Sequence, residues 1–135
     1  MNKELGLKII AAIEAEPENF FMGSWSRRTP CGTQCCIAGY ACTLSGHPFL
    51  FENEGMPESS IVLVKENDTS TRRRARTVAA ELLGLTFYES ETLFFKVNWP
   101  TEYQDMGSVK GAIALIKDII ERGHQALEEP INYDE

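Results

Sequence analysis

Cysteine is missing from this sequence outside one short stretch, because all four cysteines lie within residues 31–42. A secreted disulfide framework spreads its cysteines to join distant segments, so this clustering argues against one. Residues 1–8 include Glu4 and contain no continuous apolar stretch, which argues against a signal peptide. We therefore expect reduced thiols and a cytoplasmic protein.

Long hydrophobic runs and an excess of positive charge are also missing. No apolar run approaches the roughly 18 residues of a membrane-spanning helix, so we expect no membrane partner. The 20 acidic residues outnumber the 13 lysines and arginines, and the resulting net charge of −7 argues against broad DNA binding. With 135 residues, of which 43% are hydrophobic and 24% charged, the chain has the composition of one globular domain.

The sequence contains no CxxC pair, a spacing that is typical of zinc sites. A zinc site would need Cys31, one of Cys35 or Cys36, and His47 or His124 brought in by the fold. If residues 34–45 form one helix, Cys35 and Cys42 lie about 10 Å apart along its axis and cannot share a metal. We predict no metal and no cofactor, and we keep a structural zinc protein as the second alternative.

Hydrophobic periodicity predicts the fold. Apolar residues three and four positions apart predict helices over residues 3–15, 34–45, 71–83, 87–95 and 109–122. The β-branched run 61–64 predicts a strand, which needs a pairing partner from a segment such as 20–25 or 48–51. We predict a mainly α protein, a single small domain of four or five helices over residues 1–127, which can include a short two-stranded β element. Residues 128–135 are expected to form an acidic tail.

Capping residues locate the starts of two of these helices. Thr33 is a suitable N-cap for the helix over residues 34–45. Thr86 and Glu89 have the spacing of a capping box, in which each side chain satisfies a backbone N–H of the other, and they predict the start of the helix over residues 87–95. The N-cap at Thr33 places Cys31, Cys35 and Cys36 just before or in the first turn of its helix.

Small and aromatic residues predict where the chain packs closely. Glycine inside a helix costs about 1 kcal/mol relative to alanine, so Gly39 is explained most simply by another backbone that approaches it. Trp25, Phe94 and Phe95 are most simply residues of the hydrophobic core. Trp99 has the same simplest interpretation, although it could also form the wall of a groove.

The segment Cys31-Gly-Thr-Gln-Cys-Cys-Ile-Ala-Gly-Tyr-Ala41 resembles the signature Cys-Gly-Thr-x-x-Cys-x-Ala-Gly-x-Ala of an uncharacterised family of small bacterial and phage-encoded proteins. Residues 80–85 resemble the Leu-Leu-Gly-Leu turn of that family, and residues 93–100 resemble its Leu-Phe and Trp-Pro segment. The resemblance covers roughly residues 20–120. It implies a bacterial cell or a phage-infected host, and it implies no reaction type.

A thiol site is one candidate for chemistry. The N-terminus of a helix stabilises a thiolate, and several enzymes activate a cysteine in this way. Cys31 and Cys36 occupy the cysteine positions of the signature, and His47 is a candidate general base. These three residues are the candidate catalytic set of a cysteine-dependent hydrolase or transferase, which is the first alternative function.

The arginines are the second candidate, because six of the seven fall into two short stretches of an acidic protein. Guanidinium groups match the geometry of phosphate and carboxylate. The arginines at the start of the predicted helix 71–83 oppose its macrodipole, so helix stability does not explain them. The two arginine clusters, which are the candidate ligand-binding residues, are Arg27 with Arg28, and Arg72 and Arg73 with Arg74 and Arg76.

These observations favour a binding protein over an enzyme, because no complete catalytic set is present. We predict a small bacterial or phage accessory protein, a non-enzymatic binding module for a protein partner or a phosphate-bearing ligand. Its acidic faces or its arginine clusters would make the contact. The sequence leaves the oligomeric state open.

Overall fold

Six α-helices account for about half of the described part of the protein in a computed structural model, which describes residues 1–29, 32–51 and 57–123. The helices are α1 (Lys3–Ala15), α2 (Ile37–Leu44), α3 (Ala75–Leu83), α4 (Phe87–Leu93), α5 (Thr101–Asp105) and α6 (Ser108–Arg122). The strands are β1 (Ser26–Thr29), β2 (Gly32–Cys35), β3 (Glu58–Ser59), β4 (Ile61–Leu63) and β5 (Arg72–Arg74). The predicted mainly α fold with short β elements is confirmed, with one helix beyond the predicted range. The predicted acidic tail, residues 128–135, lies outside the described residues.

The strands form two small antiparallel sheets that meet in one stretch of chain. Strand β1 pairs with β2 on one side and with β3 on the other, whereas β4 pairs with β5. Strands β3 and β4 are consecutive in the chain, so residues 57–63 connect the two sheets. The predicted strand over 61–64 is confirmed, and residues 48–51 contribute a single bridge to it, between Phe49 and Val62.

The start of α2 differs from the prediction. Residues 34 and 35 belong to strand β2 rather than to the first turn of a helix, because the backbone of residues 32–35 pairs with β1, with Thr33 opposite Arg28. The helix begins at Ile37, and Cys36 takes the N-cap position that was predicted for Thr33. The axial separation calculated for Cys35 and Cys42 therefore does not apply, since Cys35 lies on a strand.

The start of α3 differs for the same reason. Arg72, Arg73 and Arg74 form strand β5 opposite residues 61–63, and the helix begins only at Ala75. These three arginines therefore lie outside the helix, and the prediction that they oppose its macrodipole was wrong. Helix α5 was not predicted at all, because its five residues are too few to display a hydrophobic period.

The hydrophobic core lies where the helices pack together. Helix α2 packs against α1 and α3, and α6 packs against α1 and α5. Trp99 is buried in this core, and its indole Nε1 donates a hydrogen bond of 2.9 Å to the carbonyl of Leu93. The predicted capping box of Thr86 and Glu89 is confirmed at the start of α4. Within the described part, no helix is long and apolar enough to cross a membrane.

The predicted close approach at Gly39 is also confirmed. A Cβ at this position would overlap the carbonyl oxygen of Trp25 and would lie 2.8 Å from the Cβ of Cys35. The approaching backbone therefore belongs to the loop before β1 and not to a helix. This contact holds the loop with Trp25 against the N-terminal half of α2.

Candidate binding cleft

The predicted catalytic residues are not brought together in the part of the chain that the structure describes. Cys36 lies at the N-terminal end of α2, and His47 lies beyond its C-terminal end. The eight residues of α2 separate the two positions by about 12 Å at 1.5 Å per residue. Proton transfer between a nucleophile and a base needs a separation of about 3 Å. Cys31 lies outside the described residues.

Burial keeps the described thiols protonated. Burial raises the pKa of Cys36 to about 12, although the backbone N–H groups of Ala38 and Gly39 lower it. The predicted effect of the helix N-terminus is therefore present, but desolvation outweighs it. Burial also raises the pKa of Cys42 to about 12, and it raises the pKa of Cys35. None of these thiols has the lowered pKa of an activated nucleophile.

The ring of His47 contacts a backbone carbonyl rather than an ionisable group. Its Nδ1 lies 3.0 Å from the carbonyl oxygen of Val64, which favours the tautomer with the proton on Nδ1. No group of three His, Cys, Asp or Glu side chains in residues 1–29, 32–51 and 57–123 is arranged to hold a metal ion. Cys31 and His124, which the zinc alternative also considers, fall outside those ranges.

Five of the six clustered arginines lie on strands β1 and β5, which flank residues 57–63, and Arg76 lies in the first turn of α3. Arg27 on β1 is opposite Glu58, and Arg74 on β5 is opposite Ile61. Since these partner positions are three residues apart, they are separated by about 10 Å along the strand. The fold thus brings the two clusters into one region of the surface.

Two of the arginines already have carboxylate partners. Arg73 donates two hydrogen bonds of 2.8 Å to Glu81, which raise the pKa of Arg73 and lower that of Glu81. Arg76 forms an ion pair with Glu91. The Nε of Arg72 donates to the carbonyl of Thr69 at 3.2 Å.

Three of the arginines stack on phenylalanine rings. The guanidinium of Arg28 lies 3.7 Å from the centroid of Phe51, and that of Arg27 lies 5.9 Å from Phe21. The third, Arg76, lies 4.8 Å from the ring of Phe87 and 5.3 Å from that of Phe95. All of these distances are within the range of cation–π contacts.

A cleft of about 390 Å³ opens beside these aromatic contacts. We call it the Trp25 cleft. Its apolar wall is formed by Met22, Trp25, Cys36, Phe94 and Phe95, and its polar wall by Glu58, Ser59 and Ser60. A shallower depression lined by Phe21, Val97 and Ser108 continues from it, with Met22, Gly23 and Phe95 shared between the two. The cleft is therefore part of a longer concave surface.

Exposed apolar side chains surround this surface. Val97 is 82% exposed and lines the adjoining depression, and Phe87 is 72% exposed and is linked to Phe95 through Arg76. Tyr88, the next residue of α4, is 59% exposed. Clustered apolar exposure of this kind marks an interaction site more often than single exposed residues do.

A second cleft of about 530 Å³ lies on the other side of β1. Its lining includes Cys35, Tyr40 and Phe51, with Ala12 and Ala15 from α1. Burial raises the pKa of Tyr40 to about 12, so its hydroxyl remains protonated at neutral pH. The consecutive cysteines 35 and 36 thus line different clefts, which prevents them from acting at one site.

Comparisons with known proteins place this chain in no established group, because no family model, no curated protein and no solved structure matches it. The resemblance carried by residues 31–41 therefore stays a prediction. The function has to be argued from the geometry of the site.

The Trp25 cleft was not predicted from the sequence. Trp25 and Phe95 were interpreted as core, and both are only half-buried, whereas Phe94 and Trp99 are buried as predicted. Hydrophilic neighbours do not distinguish the two sets, since Lys96 follows the half-buried Phe95 but Asn98 directly precedes the buried Trp99.

Proposed function

We propose that this chain is a non-enzymatic binding module that engages a protein partner through the Trp25 cleft and the exposed side chains around it. The observation that carries the proposal is the exposure of Phe87 and Val97 beside a cleft that is lined by Trp25 and Phe95. Tryptophan, tyrosine and arginine are the residues most enriched at the energetic centres of protein interfaces. The surface combines a tryptophan, Trp25, and an arginine stacked on Phe95, Arg76, with a concave shape.

The other predicted functions have less support from the geometry. An anionic or phosphate-bearing ligand would have to compete with Glu81 and Glu91 for Arg73 and Arg76, and with the rings of Phe21 and Phe51 for Arg27 and Arg28. A cysteine-dependent reaction would need an accessible thiolate, and burial raises the pKa of Cys36 to about 12. The accessory role in a bacterial or phage-infected cytoplasm remains part of the proposal, and it rests on the resemblance and on the cysteine usage.

Selection of peptides on the immobilised protein tests the proposal. A random twelve-residue library displayed on phage should yield peptides whose binding depends on Phe87 and Val97, the exposed side chains beside the cleft, which we call the rim residues. For the selected peptides, Phe87→Ala and Val97→Ala should each weaken binding by roughly fivefold or more, because each removes an exposed anchor worth about 1 kcal/mol. Fluorescence polarisation of labelled peptides measures the dissociation constants.

Leu7→Ala is the matched control, because Leu7 is an apolar residue of α1 that is 47% exposed and lines neither part of the concave surface. It should leave the affinities unchanged. If the selected peptides bind all three variants as tightly as the unsubstituted protein, or if no peptide is enriched, the proposed function is wrong.

A further inference from the structure

We propose that the Trp25 cleft binds the alkylammonium group of a lysine side chain that a basic partner protein presents. The inference rests on the proposed function, because it specifies the chemistry of the protein partner. The experiment below uses small probes, so that its outcome is independent of whether the rim residues contribute to partner binding.

The shape of the aromatic wall supports this ligand. The ring of Trp25 is nearly perpendicular to the rings of Phe94 and Phe95, at interplanar angles of 86° and 87° and centroid distances of 6.3 and 5.6 Å. Of these rings, Trp25 and Phe95 are half-buried and line the cleft, and the face of an aromatic ring attracts an alkylammonium cation within about 6 Å of its centroid. The side chain of a lysine also has an aliphatic stem, which suits the apolar part of the wall.

The charge of the cleft supports a cation rather than an anion. Among the described residues that line it, Glu58 is the only charged one. Glu58 is exposed, and it has no ion-pair partner within the described ranges. The net charge of −7 on the whole chain would attract a basic partner over a longer range.

The cationic side chains near the cleft contact other groups or lie outside it. Arg76 is neutralised by Glu91 while it stacks on Phe95. Arg27 lies across the strand pair from Glu58, but its guanidinium is placed over the ring of Phe21. Lys96 lines the adjoining depression and not the cleft itself.

The protein already uses the same kind of interaction at other aromatic rings. The guanidinium groups of Arg27, Arg28 and Arg76 all lie over phenylalanine rings. Trp25 has no such cation among the described residues, although tryptophan is the aromatic side chain that binds cations most strongly. Within the described ranges, the cleft therefore contains a tryptophan ring, Trp25, without a cation contact and a carboxylate, Glu58, without an ion-pair partner.

Nuclear magnetic resonance with two matched peptides tests the inference. Acetyl-Ala-Lys-Ala-amide and acetyl-Ala-norleucine-Ala-amide have the same aliphatic stem and differ in the ammonium group. The lysine peptide should shift the indole N–H resonance of Trp25 in a saturable way, and the norleucine peptide should not. The indole of Trp99 is the internal reference, because it is 1% exposed and its Nε1 donates to Leu93.

Substitution of the carboxylate provides a second readout. Glu58→Gln should weaken lysine binding by about two- to fivefold, the range expected for one exposed ion pair. The matched control is Glu121→Gln, an exposed position near the C-terminal end of α6, which should leave the affinity unchanged. Added salt should weaken binding to the unsubstituted protein and have less effect on Glu58→Gln.

Several outcomes would overturn the inference. Equal shifts with the norleucine peptide would make the cleft an apolar site without charge selection. A shift of the Trp25 resonance by inorganic phosphate would make the cleft an anion site. Sedimentation of the protein with phosphatidylcholine vesicles, without a response to the lysine peptide, would make it a site for a lipid headgroup.

If rim-dependent peptides exist but the lysine peptide produces no shift, this inference fails while the proposed function stands. If the lysine peptide binds but rim substitutions have no effect on partner peptides, the proposed function fails instead.

Discussion

At the scale of single residues, the clearest determinant of this structure is the absence of a side chain at Gly39. The loop that carries Trp25 passes so close to α2 that a Cβ on Gly39 would overlap the carbonyl oxygen of Trp25. The sequence predicted a close approach at this glycine but could not predict what approaches. A glycine indicates that another backbone can approach closely, but only the folded structure shows which backbone it is.

Gly39→Ala should therefore destabilise the protein in spite of the better helix propensity of alanine. Overpacking of this kind costs about 1–3 kcal/mol, whereas the gain in propensity is at most about 1 kcal/mol. Urea denaturation followed by circular dichroism measures the free energy of unfolding. The substitution should also shift the indole resonance of Trp25, because the carbonyl of that residue would have to move.

Gly6→Ala is the matched control in a different helix. A Cβ there would lie 3.1 Å from the Cδ1 of Ile120 and 3.1 Å from the Sδ of Met1, both ends of side chains that can shift. We expect it to remain within about 1 kcal/mol of the unsubstituted protein. Equal stabilities of Gly6→Ala and Gly39→Ala would contradict the role assigned to the contact with Trp25.

At the scale of elements, local signals predicted the structure wherever the stabilising contacts are themselves local. The capping box of Thr86 and Glu89 lies within four residues, and it starts α4 as predicted. Strand β5 was predicted as helix because its partner, β4, is not adjacent to it in sequence, whereas residues 34–35 of β2 were predicted as helix although β1, their partner, directly precedes them in the fold. Nothing in residues 72–74 indicates that residues 61–63 will pair with them. Helix propensity was overridden by tertiary pairing.

Thr86→Ala should destabilise α4 by about 1 kcal/mol, because the backbone N–H of Glu89 loses the hydroxyl that accepts its hydrogen bond at 3.1 Å. The loss is measured as a lower urea midpoint. Since α4 carries Phe87 and Tyr88 on its exposed surface, amide hydrogen exchange in its first turn should also become faster.

Thr77→Ala controls for the change of residue type, because Thr77 is exposed in the middle of α3 and caps nothing. It should be neutral or slightly stabilising, since alanine has the higher helix propensity. If both substitutions have the same effect, the capping box does not stabilise α4.

At the scale of the whole molecule, the sequence predicted the fold class but not the site. The mainly α architecture follows from hydrophobic periods that each helix carries in its own residues. The Trp25 cleft is assembled from residues 22–25, Cys36, residues 58–60 and residues 94–95, which are far apart in the chain. No pattern in any one of these four parts indicates that they will meet, so the candidate site could be found only in three dimensions.

The buried thiols and phenols determine how the whole molecule responds to alkaline pH. Burial raises the pKa of Cys36 and Cys42 from 9.0 to about 12, and that of Tyr40 and Tyr103 from 10.0 to about 12. Between these values the native protein retains protons that the unfolded chain releases. The unfolded state then binds fewer protons, so the free energy of unfolding falls as the pH rises from about 9 to about 12.

Urea titrations at several pH values in the presence of a reductant measure this slope. Cys42→Ala should make the slope shallower by up to about 1.4 kcal/mol per pH unit, because one titrating group is removed. Val78→Ala is the control, since it removes buried apolar volume from α3 without removing a titratable group. An unchanged slope in Cys42→Ala would show that its thiol titrates alike in the folded and the unfolded protein.

The contact between Trp25 and Gly39 has a consequence for the thermodynamics of association. The backbone of Trp25 packs closely against Gly39 of α2, and its indole ring packs edge to face with Phe94 and Phe95. A ring held in this way loses little conformational entropy when a ligand arrives, because folding has already ordered it. Binding at the cleft should therefore be accompanied by a small entropic penalty and by nearly unchanged backbone order parameters in residues 22–25.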